Sequence, residues 1–95
     1  DKGLSSGIRK FLLPRLTAVH EKLGAIKPSG EFEKRKLAAD KKLVLALIEQ
    51  CNAMAYFADT KSPKFEKDLE RLSQLAAAAA EEVQKLDAAR RPSNY

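Results

Sequence analysis

Apolar residues recur along this chain at steps of three and four over three long stretches, the period of helices with one buried face. In the first stretch Leu4, Ile8, Leu12, Leu16, Val19, Leu23 and Ile26 form one stripe, with Phe11 and Ala18 at its edge. Ser5 or Ser6 suits its start, and Gly24 with Pro28 marks its end. The pattern predicts a helix over about 4–26. On a wheel of this period Leu13 and His20 point to its polar side. Pro14 removes one backbone donor and crowds the preceding turn. Because the stripe continues on both sides of it, the pattern predicts a kink near Phe11–Leu13 rather than a break.

The turn Lys27-Pro28-Ser29-Gly30 offers Ser29 as an N-cap, and Glu31 and Glu33 suit the positive end of a helix dipole. The second helix is expected over about 30–58. Leu37, Val44, Leu47, Ile48, Cys51, Met54, Ala55 and Ala58 make its stripe, widened by Phe32, Ala39, Leu43 and Phe57. That apolar arc covers about half the circumference, more than a one-sided surface helix needs. Such a helix touches two neighbours, or something beyond this chain. Ser62 followed by Pro63 opens the third helix, expected over about 63–90. Phe65, Leu69, Leu72, Ala76, Ala79, Val83 and Leu86 step alternately by four and three, a heptad seam. The run Ala76–Ala80 favours helix and close backbone approach. Arg91 to Tyr95, with Pro92 among them, cannot continue the helix.

Both connections are short, so consecutive helices should lie antiparallel. The expected fold is all-α: one domain over 1–95, an up-down-up antiparallel three-helix bundle whose first helix is kinked near Pro14. A chain of 95 residues suits a single domain. Its start at Asp1, without Met, suggests a piece excised from a longer protein. No window approaches the ~20 apolar residues of a spanning helix, and no signal-peptide pattern opens the chain. The single Cys51 excludes an internal disulfide and fits a reducing compartment. A soluble, intracellular (cytoplasmic) domain is therefore the expectation.

Candidate chemistry is sparse. His20 and Cys51 are the only His and Cys, and the wheel places them on unlike faces, polar and apolar. Clustered metal ligands and a Gly-rich phosphate loop are both missing from the sequence. Glu81 and Glu82 are adjacent and so diverge on a helix. These absences predict no catalytic site, cofactor, metal or small-molecule substrate. The net charge of +5 permits anionic partners. Lys34, Arg35, Lys41 and Lys42 collect at one end of the expected bundle with Arg90 and Arg91. That pole is a candidate site for anionic lipid headgroups or nucleic acid, diluted by Glu21, Glu31, Glu33, Asp40 and Asp87. On the polar side of the second helix Leu45 and Tyr56 align three turns apart, near Glu49 and Asn52. With the outward Leu13 of the first helix they form a candidate partner surface, since aromatic anchors concentrate in interfaces. The leading expectation is a non-enzymatic helical protein–protein interaction module within a larger protein, with self-association through the second helix as a variant. The alternative is an electrostatic binder at the basic pole.

Overall fold

Helices account for nearly all of residues 2–90, the part of the chain that the computed structural model describes, with side chains described for residues 3–89. Helix α1 covers residues 2–25 without a break in helical backbone: an α-helical start, Lys2–Gly7, a π-helical Ile8–Leu12, and an α-helical Leu13–Ala25. Helix α2 is Glu31–Thr60 and helix α3 is Lys64–Arg90. The stretch 91–95 lies outside the described residues.

The ends of α2 differ from the sequence expectation by a residue or two, for local reasons. Its N-cap is Gly30 in extended backbone rather than Ser29, and no side chain caps it. Its far end runs two residues past Ala58. The Thr60 hydroxyl donates to the Tyr56 carbonyl at 2.8 Å. The Lys61 N–H donates to the Phe57 carbonyl at 2.7 Å. Lys61 closes the helix in the left-handed region, with φ 53°, where glycine is the usual residue.

Helix α2 is the shared middle element. Both α1 and α3 pack on it, while among the described residues no Cα of α1 comes within 8 Å of one in α3. Leu37 and Ala39 show why its apolar arc is so wide. They are about 200° apart around the helix, yet both are buried. Leu37 borders Leu23 of α1 and Ile26 just past its end. Ala39 lies on the α3 side, between Lys36 and Lys42, which reach Asp87 and Glu82 of α3. Partners on α3 fall in number as those on α2 rise: Lys36 with Asp87, Lys42 with Glu82, Gln50 with Ser73, Tyr56 with Phe65.

The core is built mainly from small side chains. Ala39, Ala55, Ala58, Ala76 and Ala79 are buried beside Ile8, Leu37 and Val44. Small residues let backbones approach, so the close contact here is between helix surfaces more than between interlocking large side chains. The heptad seam of α3 behaves as its pattern predicts. Ala76 and Ala79 are buried, and Phe65, Leu69, Leu72, Val83 and Leu86 are half-buried.

Helix α1 departs from its pattern, and from Ile8 onward the π segment is the reason. The Leu13 N–H donates to the Ile8 carbonyl, five residues back. This wider turn falls just before Pro14, whose ring would crowd the carbonyl four residues earlier. One extra residue in a turn rotates everything after it by roughly 100° relative to a pure α-helix. The inward face therefore runs Ser5, Ile8, then Leu13, Leu16, His20 and Leu23, all buried or half-buried. Leu12, Val19 and Ile26, expected in the core, are instead 48%, 45% and 51% exposed. Leu13 and His20, expected on the polar side, are half-buried. Leu4, before the π segment, is also exposed, at 53%.

Candidate interaction surface

Leu45 of α2 is exposed, as its wheel position implies. The structure gives it a neighbour that the pattern did not point to. A shallow groove between α2 and α3 is lined by Leu45 and Ala46 on one side and by Leu75 and Ala79 on the other. Lys42 and Glu49 border it. Leu45 is 46% exposed and Leu75 51%. Leu75 is three residues past Leu72 and one before Ala76, just off the heptad seam. That position as a flank of the seam was the available signal. Tyr56 is also exposed, but its ring lies against Phe65 of α3, centroids 4.4 Å apart and planes tilted by 51°. It is thus partly engaged inside the chain. Glu49 and Asn52 are exposed on the same helix. Leu13 does not join this surface; it is half-buried, on α1.

The basic end of α2 is interleaved with acids. Lys34 lies 3.9 Å from Glu31, and Lys42 lies 3.7 Å from Glu82. Lys36 meets Asp40 at 2.9 Å and Asp87 at 3.3 Å. The hydrogen bond to Asp40, with both carboxylate charges, holds the Lys36 ammonium above its ordinary range. Arg35 and Lys42 are exposed and Lys41 is half-buried. The side chain of Arg90, and all of Arg91, lie outside the described residues.

At the other end of α2, Arg9 of α1 pairs with Asp59 at 2.8 Å. The Ser5 hydroxyl, donating to the Asp59 carboxylate, and the Arg9 guanidinium together hold that acid below its ordinary range. Cys51 is half-buried, and burial pushes its thiol up. It therefore stays protonated at neutral pH, a poor state for a nucleophile. No group of three or more His, Cys, Asp or Glu among the described residues is placed to hold a metal ion. Among the same residues no helix is long and apolar enough to cross a membrane.

Residues 2–27 contain Lys2, Arg9, Lys10, Arg15, Lys22 and Lys27 against a single acid, Glu21. Their net charge equals the +5 of the whole chain, so the remainder is balanced. The basic character belongs to the α1 region rather than to the α2 pole. Comparison with protein-family models, with curated proteins and with solved structures finds no match to this chain.

Proposed function

We propose that the chain is a non-enzymatic helical protein–protein interaction module, a domain of a larger intracellular protein. Its contact surface is the α2–α3 groove. The arrangement taken for it is up-down-up, with α1 bent at Pro14. The observation that carries the reading is the pairing of Leu45 and Leu75, each about half exposed, across one groove floored by Ala46 and Ala79. A small-residue floor with large apolar rims suits an inserted side chain or a docked helix. Lys42 and Glu49 at its border supply a polar rim. Self-association through this face of α2 is the variant in which a second copy fills the groove. The acids woven through the α2 basic end weaken the electrostatic alternative there.

The test is Leu45→Ser with Leu75→Ser. Both side chains are exposed, so unfolding by circular dichroism should shift by no more than about 0.5 kcal/mol each. Partners retained by the wild-type chain in affinity capture should be lost by this variant and kept by Leu4→Ser on α1. Light scattering decides between another protein and a second copy. If the double variant unfolds, or captures everything the wild type does, the groove is not the contact surface.

A further inference from the structure

We infer that the outward face of α1 is a second docking site, for an anionic membrane surface. This site is separate from the α2–α3 groove and from the α2 basic end. After the π segment, Leu12, Arg15, Val19, Lys22 and Ile26 recur at steps of three and four, and all five are exposed. Phe11, at 66% the most exposed large apolar residue among those described, lies four residues before Arg15 on the same face. Apolar and cationic side chains thus alternate along roughly 20 Å of helix.

The charge says what covers this face. The α1 region holds the chain's whole excess of +5. Neither Arg15 nor Lys22 takes part in an ion pair among the described residues. Glu21 is two residues past Val19, about 200° around the helix, and so points away from the strip. A second copy docking through α1 would bring two such basic helices together, which like charge opposes. An anionic leaflet answers both halves of the pattern. Phe11, Leu12, Val19 and Ile26 enter the boundary between headgroups and acyl chains. The stems of Arg15 and Lys22 lie along the same apolar surface and carry their charges to the phosphates. The helix need not leave the fold to do this. Ile8, Leu13, Leu16 and Leu23 keep it on α2 while the adjoining exposed face, with Ile26 at its edge beside Leu37, meets the lipid.

The experiment is co-sedimentation of the full chain with phosphatidylcholine vesicles holding about 30% phosphatidylserine. Binding is expected at about 50 mM salt, with marked loss at about 500 mM, where charge is screened. Pure phosphatidylcholine should retain little. Arg15→Gln with Lys22→Gln should weaken binding roughly twenty-five-fold, two cations at about fivefold each. Val19→Ser with Ile26→Ser should weaken it at unchanged salt dependence. Both pairs are exposed, so circular dichroism should show folded protein in each case. Leu45→Ser with Leu75→Ser should bind vesicles as the wild type does. No sedimentation with anionic vesicles at low salt overturns the inference. So does an unchanged affinity in the Arg15/Lys22 variant, or loss of binding in the Leu45/Leu75 variant alone.

Discussion

Helices α1 and α3 solve the same problem differently. Both are long and amphipathic, and both pack on α2. Helix α3 holds one phase over its length. Its heptad positions stay on the seam, with Ala76 and Ala79 the most buried of them. Helix α1 changes phase once. A π turn at Ile8–Leu12 precedes Pro14, and the inward face jumps from Ile8 to Leu13. The consequence differs more than the cause. Nearly all the seam of α3 goes into the fold. The jump in α1 leaves Leu12, Val19 and Ile26 about half exposed beside Arg15 and Lys22. One extra residue in a turn thus turns a core stripe into a surface.

Single-residue deletions should separate the two helices most strongly. Removing Ala78 from α3 rotates the C-terminal remainder of that helix by roughly 100°. It takes Ala79, Val83 and Leu86 off the seam and breaks the register of Lys42 with Glu82. Re-exposing Val83 and Leu86 alone should cost on the order of 3 kcal/mol in urea unfolding. Removing Phe11, together with Pro14→Ala, should do the reverse. The turn can close as ordinary α-helix while Leu13, Leu16, His20 and Leu23 keep their face. Stability should then stay within about 1 kcal/mol of wild type. Equal losses in the two deletions would mean that α1 has no phase shift to absorb.

The same contrast explains what could be foreseen. The heptad of α3 and the double-sided arc of α2 were legible because uninterrupted α-helix converts sequence spacing directly into direction. Leu37 and Ala39 point opposite ways and both are buried, as an arc touching two neighbours requires. Pro14 was legible as a disturbance. The π turn before it was not, because a bend alone relieves the same clash and leaves the phase unchanged. Sequence spacing therefore misplaces Leu12, Leu13, Val19 and His20 of α1, and Ile26 just past its end. The candidate surface shows the same division. Leu45 and Tyr56 on α2 are exposed, Leu13 is not, and Leu75 emerges only once α3 is placed beside α2.

Ile8 and Leu12 offer a smaller but sharper comparison within α1. A pure α-helical stripe makes them equivalent core positions, one turn apart. In the structure Ile8 is 2% exposed and Leu12 48%. Ile8→Ala should cost about 2 kcal/mol, near the low end for such a truncation because the surrounding side chains are small and can close in. Leu12→Ala should change stability by no more than about 0.5 kcal/mol. Similar losses at the two sites in thermal or urea unfolding would restore the continuous stripe.

The smallest expected effect concerns the ion pairs that tie each outer helix to α2, and it has opposite signs in pH. Asp59 is held below its ordinary 3.8 by the Ser5 hydroxyl, then by Arg9, both on α1. The folded state thus binds this proton less readily than the unfolded one. The contribution is fully present above 3.8 and is lost as pH falls through the lower folded value. Lys36 is held above its ordinary 10.5 by its hydrogen bond to Asp40, with Asp87 of α3 adding to it. That contribution is present below 10.5 and is lost as pH rises through the higher folded value. Acid should therefore loosen α1 first and alkali α3. Both groups remain partly in water, so the changes are small. Amide hydrogen exchange resolved by helix, compared at matched intrinsic rates, is the suitable measurement. Asp59→Asn should flatten the acid response of α1 while leaving α3 unaffected. Lys36→Met should flatten the alkaline response of α3. An acid response in α1 that survives Asp59→Asn would assign it to other carboxylates and remove the Ser5–Arg9–Asp59 contact as the tie between α1 and α2.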